Sequence, residues 1–159
     1  MRSGAPWYDV LSLPALLRHA RVTYGIAIRE RLDAAGHDDI PKNGLYVIGG
    51  MARDERDVPL AQLIRELRIS KQAAGQLVDT LVVRGYLERA VDPTDRRRLT
   101  LALTPKGLAA AAIQGEAIAA IDAELAKAIG SQGTSLLRSA LATLIDIGHN
   151  AAETTAGLA

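Results

Sequence analysis

The spacing of apolar residues changes abruptly at Gly85, and this change constrains the fold more than any other feature of the sequence. Across residues 74–81, apolar side chains recur at the intervals typical of one face of a helix. Across residues 87–91 and 99–103, side chains alternate with the period of a strand. Between the two strands, the sequence Asp-Pro-Thr-Asp from Asp92 is a turn signature. The pattern therefore predicts a helix followed directly by a two-stranded hairpin.

A second helix is predicted immediately before this one. Its apolar stripe is followed by Ser70, a residue type favoured at the N-cap position of a helix, and Gly85 is the expected C-terminal stop. Two helices joined by a tight turn form a helix-turn-helix, and the hairpin behind them makes it a winged helix. The stripe consists of Leu60, Leu63, Ile64 and Leu67.

The N-terminal part of the chain is also predicted to be largely helical. Apolar residues at helical spacing predict a helix over residues 14–35, and Gly36 is placed to end it. Residues 44–52 could form a short helix or a buried strand, and their periodicity does not decide between the two.

The C-terminal part predicts two more helices. Thr104 is a suitable N-cap and Pro105 a suitable first helical residue. They begin an Ala-rich helix that is predicted to reach Ile129, followed by a break at residues 130–133 and a final helix. The predicted fold class is mainly α with a small β-hairpin: a winged helix-turn-helix with N- and C-terminal helices around it.

Length indicates one domain over residues 1–159, and within it the winged-helix lobe is predicted at residues 57–106. Residues 65–106 contain nine Lys or Arg and five Asp or Glu. Residues 1–64 contain eight of each kind, and residues 107–159 contain two basic and five acidic residues. A basic middle between neutral and acidic flanks indicates a module that faces a polyanion.

The sequence argues against several classes of protein. It contains no Cys, which excludes disulfides, thiol nucleophiles and thiolate metal sites and fits a reducing cytosol. It shows neither a signal peptide nor an apolar run long enough to span a membrane, so we expect a cytoplasmic protein. Common catalytic and phosphate-binding motifs are missing, and the three His residues lack metal-ligand spacing. We therefore expect no enzymatic activity, no cofactor and no metal.

The predicted helix after Ser70 has a polar face opposite its apolar stripe, formed by Gln72, Gln76 and Asp79. Gln can form two hydrogen bonds with the major-groove edge of adenine, and Lys71 suits a phosphate. Three consecutive arginines at the tip of the predicted hairpin or on its returning strand suit a narrow minor groove, where the negative potential is enhanced. They are Arg96, Arg97 and Arg98.

Several motifs in this order give the chain a family likeness. The chain reads LAQLIRELRISKQA from Leu60, DPTDRRR from Asp92 and LTPKG from Leu103. In these motifs it resembles the MarR family of bacterial transcription regulators. The order of elements matches over residues 14–149, and the likeness is most specific over residues 60–107. The resemblance implies a regulator that binds palindromic duplex DNA as a homodimer.

The resemblance also implies roles for individual residues. The N-terminal part of the helix after Ser70 would reach base edges, one wing arginine would enter the minor groove, and another would be braced by Asp95. Gln76 stands where many members have Arg, which weakens any expectation of guanine readout. Gly75 lies inside the helix, where Gly costs about 0.5–1 kcal/mol relative to Ala. The predicted DNA-binding residues are Ser70, Lys71, Gln72, Ala73, Gln76, Asp95, Arg96, Arg97 and Arg98.

The resemblance implies that the terminal helices form a dimerisation layer over residues 10–36 and 107–150, and the alternative is that they form a helical cap on a monomer. Members of the family often respond to small aromatic anions, which implies an effector site near the first two helices. For both tyrosines among the candidates the alternative is a place in the core, and for His19 it is a structural role. The candidates are Arg18, His19, Arg21, Tyr24 and Tyr46.

The main alternative function is a winged-helix module that binds another protein and not DNA, because a fold does not dictate its function. Salt dependence distinguishes the two. Neutralisation of phosphates predicts that affinity for DNA falls steeply as salt rises, whereas a protein–protein contact does not.

Overall fold

The computed structural model describes residues 6–53, 67, 69–91 and 99–156. Contacts divide the chain into a first unit, Met1–Ile118, and a second unit, Ala119–Ala159. The described residues are mainly helical with one two-stranded hairpin, as the sequence predicts. Their elements are a 3-10 helix at Trp7–Val10, α1 at Leu13–Ala34, α2 at Gly44–Arg53, α3 at Lys71–Val83, β1 at Leu87–Val91, β2 at Leu99–Leu103 and α4 at Pro105–Ala156.

Helix α1 confirms the first predicted helix to within one residue at each end. Pro14 lies in its first turn, where its missing N–H leaves no intrahelical hydrogen bond unmade. Gly36 follows the helix with a φ of 79°, a conformation that glycine adopts without steric cost. Ile28 and Leu32, four residues apart, are buried in the core of the first unit.

The ambiguous stretch at residues 44–52 is helical and forms α2. Its buried side chains Val47, Ile48 and Met51 recur at the spacing of one helix face. That face lies in the same core as α3 and the hairpin. Gly44 is also buried, and a Cβ atom there would lie 3.0 Å from Cδ2 of Leu81. The lack of a side chain at Gly44 therefore allows α2 to begin close to α3.

Helix α3 begins where the sequence predicts. Ser70 is its N-cap, and the Ser70 Oγ accepts a hydrogen bond from the Ala73 N–H at 3.1 Å. Ala74, Val78 and Leu81 are buried, and the chain leaves the helix through Gly85 at a φ of 76°. Most of the helix predicted before Ser70 lies outside the described residues. Its last apolar residue, Leu67, is helical and packs against the core.

Strands β1 and β2 pair antiparallel and confirm the predicted hairpin. In their register Leu87 lies opposite Leu103, and Arg89 lies opposite Leu101. Leu87 is buried, while both of these β2 leucines are half-buried against the core. The hairpin therefore packs one of its faces against the core of the first unit. Its turn, residues 92–98, lies outside the described part of the chain.

Helix α4 begins with the predicted Thr104 cap, whose Oγ accepts a hydrogen bond from the Gly107 N–H at 3.0 Å. The predicted break at residues 130–133 is narrower than expected. Only Gly130 leaves the helical region, with a φ of 73°, and helix resumes at the next residue. One left-handed glycine is enough to interrupt the helix because it stops the regular hydrogen-bond ladder.

The core of the first unit gathers side chains from helices α1 to α4 and from both strands, whereas the 3-10 helix at Trp7–Val10 contributes no buried residue. Among the described helices, none combines the length and hydropathy needed to cross a membrane. The largest fully buried side chains are Leu32, Val47, Ile48, Leu81, Tyr86 and Leu87.

Candidate nucleic-acid interface

The polar face of α3 is exposed, as the sequence predicts. Gln72, Gln76 and Asp79 lie at the surface, opposite the buried stripe that fixes the helix to the core, and Lys71 is exposed in the first turn. Gln72 and Gln76 are four residues apart, so their amides lie one above the other on the same face. This arrangement can present two amide groups and an ammonium group to one groove of a duplex.

The start of α3 has a further polar group. The Oγ of Ser70 is occupied as an acceptor by the Ala73 N–H, but a serine hydroxyl can still donate its own hydrogen. Ser70 and Ala73 both lie at the N-terminus of α3, where the backbone dipole favours negative charge. Ser70 is exposed and Ala73 is half-buried. The first turn of α3 is therefore suited to approach a phosphate or a base edge.

The predicted wing residues Asp95, Arg96, Arg97 and Arg98 lie outside the described residues. The described base of the hairpin contains an ion pair that the sequence analysis missed. The guanidinium of Arg89 on β1 donates a hydrogen bond to Oδ1 of Asp79 on α3. One signal in the sequence could have indicated it: Arg89 occupies an alternating position between two apolar residues of the strand.

A polar cluster surrounds the ring of Tyr86 just after α3, and it too was missed. Tyr86 is fully buried, and its hydroxyl donates a hydrogen bond to Oδ1 of Asp39 at 2.5 Å. Nδ1 of His37 lies 3.3 Å from the same hydroxyl oxygen. The ammonium of Lys106 lies 4.1 Å from the centre of the ring and 3.9 Å from Oδ2 of Asp39. The cluster thus joins the loop after α1, the turn before β1 and the start of α4.

Electrostatics within this cluster act in opposite directions on its two acidic groups. The hydrogen bond from Tyr86 lowers the pKa of Asp39, and the charges of Lys106 and Arg84 lower it further. Burial raises the pKa of Tyr86, and the hydrogen bond to Asp39 adds to the rise. The tyrosine is therefore held neutral and the aspartate ionised, which preserves the hydrogen bond between them around neutral pH.

The candidate effector residues lie on α1 and α2 in the first unit. Arg18, His19 and Arg21 are exposed, and the ring of His19 lies edge-on to that of Trp7 with centroids 5.1 Å apart. Tyr24 packs against the core and is half-buried, as the core interpretation predicts. Tyr46 is 40% exposed and lies outside the core. The effector role of these residues stays a prediction.

Metal binding is not supported by the described residues. In residues 6–53, 67, 69–91 and 99–156, no three His, Cys, Asp or Glu side chains come close enough together to hold a metal ion.

Comparison with known proteins gives one family and many solved structures. A model of the MarR family matches residues 39–98. No curated protein has a significant match. The reduced form of MarR from E. coli is 21% identical, with a TM-score of 0.64 over 85% of this chain and 97% of that one.

Two further similar structures are complexes with DNA. FabT from Streptococcus pneumoniae, solved with DNA, is 19% identical, with a TM-score of 0.67 over 86% of this chain and 96% of that one. MepR from S. aureus, also solved with DNA, is 15% identical, with a TM-score of 0.68 over 86% of this chain and 98% of that one. The chain thus matches the MarR family model over residues 39–98 and shares the winged-helix fold of these MarR-family structures.

Proposed function

We propose that this protein is a transcription regulator that binds palindromic duplex DNA as a homodimer and has no enzymatic activity. The observation that supports this best is the exposed polar face of α3, held in place by the buried stripe behind it. The same fold binds DNA in FabT and MepR. We expect the protein to act in the cytoplasm, where bacteria keep their DNA.

Each group on the proposed interface has a role that its chemistry suits. Gln72 and Gln76 read base edges in the major groove, with adenine as the preferred partner. Ser70, Lys71 and Ala73, at the start of α3, approach the adjacent phosphate or base edges. The wing inserts an arginine into the neighbouring minor groove. The wing residues in this proposal are Asp95, Arg96, Arg97 and Arg98.

Exposed apolar side chains support a homodimer. On α1, Leu13, Leu16, Val22 and Ile26 are between 36% and 65% exposed. The second unit also exposes large apolar side chains. Clustered apolar groups at a surface indicate contact with another protein, and two-fold dimers of winged helices bind palindromic sites. The exposed residues of the second unit include Leu136, Leu137, Leu141, Leu144, Ile145 and Ile147.

Arg97→Ala is expected to weaken DNA binding and to make it less dependent on salt. The loss of one phosphate or groove contact lowers the slope of log affinity against log salt by about 1. A preferred duplex is first selected from random DNA with the wild-type protein, and affinity is then measured by fluorescence anisotropy over a series of salt concentrations. We expect a palindrome bound by two chains.

Lys127→Ala is the matched control, because it removes one positive charge from an exposed position on the second unit. Its salt slope should equal that of the wild type. Equal slopes for all three proteins would contradict the wing assignment. A wild-type protein that binds no duplex even at low salt would contradict DNA binding and favour the protein-interaction alternative.

We also propose that a small aromatic anion, bound near Arg18, His19, Arg21, Tyr24 and Tyr46, releases the DNA. Two exposed guanidinium groups one helical turn apart on α1 supply positive charge, and tyrosine rings supply an apolar surface. Addition of benzoate to the assembled complex is expected to lower DNA affinity in the wild type and less in Arg21→Ala. A DNA affinity that benzoate leaves unchanged, or lowers equally in both proteins, would count against this site.

A further inference from the structure

We propose that Arg89 is a positioning residue for DNA recognition, because its ion pair with Asp79 holds the base of the wing against α3. This inference rests on the proposed function and adds to it a residue that need not touch DNA. Two elements that enter different grooves of one duplex must be correctly placed relative to each other. A contact that joins them directly is therefore a candidate for setting the geometry of the whole interface.

The position of Arg89 in the strand is unusual for a charged side chain. Residues two apart in a strand point to the same face of the sheet, so Arg89 shares a face with buried Leu87. Its cross-strand partner is Leu101, which packs against the core. An apolar residue would be expected at this position. An arginine here has a stem that can cover apolar surface and a charged end that reaches outward, and its guanidinium reaches α3.

The position of Asp79 is equally informative. It lies on the exposed face of α3, three residues after Gln76 and thus on the side proposed to approach DNA. An unpaired carboxylate there would repel phosphates. Arg89 neutralises this charge, and the two side chains remain half exposed, at 51% for Arg89 and 61% for Asp79. The pair therefore removes a repulsion and links the helix to the strand at the same time.

The pair is poorly suited to a role in stability alone. Exposed ion pairs contribute little to folding because water and salt screen them. The core residues Tyr86 and Leu87 already fix the start of β1. Arg89 is the next side chain on the inner face toward the wing turn, so it can restrict the direction in which the wing leaves the core.

Asp79→Asn separates positioning from simple electrostatics because the two predict changes of opposite sign. Removal of a negative charge near DNA should strengthen binding if only charge matters. If the ion pair positions the wing, the same change should weaken binding to the selected duplex by about two- to fivefold, the range set by the strength of an exposed pair. Arg89→Gln should weaken it similarly, and the double variant should bind no more weakly than Arg89→Gln.

Affinity for the selected duplex and for a scrambled one is measured by fluorescence anisotropy, and thermal unfolding is measured in parallel. Glu124→Gln is the matched control, because it removes an exposed carboxylate from the ion pair with Lys127 and should leave DNA binding unchanged. Arg89→Lys, which keeps the charge, should retain most of the affinity. Unchanged midpoints of unfolding for both Asp79 and Arg89 variants are expected, since a purely structural role would lower them along with affinity.

Tighter or unchanged binding by Asp79→Asn would overturn the assignment while leaving the proposed function in place. If the losses of DNA affinity in the two single variants add up in the double variant, the assignment is also overturned, because additivity would mean that Arg89 contacts DNA directly. A wild-type protein that binds no duplex would overturn the proposed function and this inference together.

Discussion

Gly107→Ala is expected to destabilise the first unit by about 1–3 kcal/mol, a cost typical of an overpacked site. A Cβ atom at residue 107 would overlap the backbone carbonyl oxygen of Tyr86 and lie 3.0 Å from Cδ2 of Leu103. The carbonyl oxygen cannot easily move, because it accepts a hydrogen bond from the Thr104 N–H at 3.1 Å. The start of α4 would have to shift away from β1, and the Thr104 cap would be disturbed.

Gly115→Ala, in the same helix, is the matched control. An added Cβ there meets no atom within 4 Å, so the substitution should stabilise the protein by about 0.5–1 kcal/mol through helix propensity. Unfolding in urea, followed by circular dichroism, gives the free energy of unfolding of each variant. Equal stabilities for the two variants would show that the close approach at Gly107 does not constrain the fold.

Leu81→Ala is expected to lower the free energy of unfolding by about 2–5 kcal/mol, the usual cost of removing a large aliphatic side chain from a core. Leu81 has no exposed surface and lies in the core shared by α1, α2 and the hairpin. Its Cδ2 packs against the backbone of α2 at Gly44. Since this backbone cannot follow the shortened side chain, the substitution should leave a cavity.

Val83→Ala is the corresponding control at the end of the same helix. Val83 is 86% exposed, so its truncation should change stability by no more than about 0.5 kcal/mol. Chemical denaturation of both variants measures the difference. A Leu81→Ala protein as stable as Val83→Ala would mean that α3 does not depend on this contact.

Local patterns in the sequence were sufficient to predict most of the described elements. The cap at Ser70, the stop at Gly85 and the alternation in the hairpin each depend on neighbouring residues, so they can be read from the chain directly. The helix at residues 44–52 was left open because a short apolar run fits a helix or a strand equally well. Packing of this segment against α3 and β2 accounts for its helical conformation.

Contacts between distant residues could not be predicted in the same way. Tyr86 meets Asp39 across a separation of 47 residues, and the loop that contains Asp39 also buries Ile40 to 3% exposure. In the sequence this segment lies between Gly36, which ends the first predicted helix, and the apolar stretch at residues 44–52. Periodicity reports which face of an element is buried, but not which loop side chain fills a position beside it.

The candidate interface shows the same difference between local features, which can be predicted, and contacts between distant residues, which cannot. Exposure of Gln72 and Gln76 follows from the period of α3 and was predicted correctly. The link from Asp79 to Arg89 was not predicted, because it depends on how the hairpin folds back beside the helix. Alternation placed Arg89 on the inner face, but its reach to another element is visible only in three dimensions.

The single left-handed residue at Gly130 affects how the second unit can be recognised. Helical periodicity restarts after it, so the side chains that project from residues 119–129 and from residues 131–148 follow two separate registers. A neighbouring chain that covers this unit cannot follow one continuous heptad seam along it. It must instead match two shorter surfaces, one on each side of Gly130, with a fixed offset between them. A straight helix without this glycine would not present such a surface.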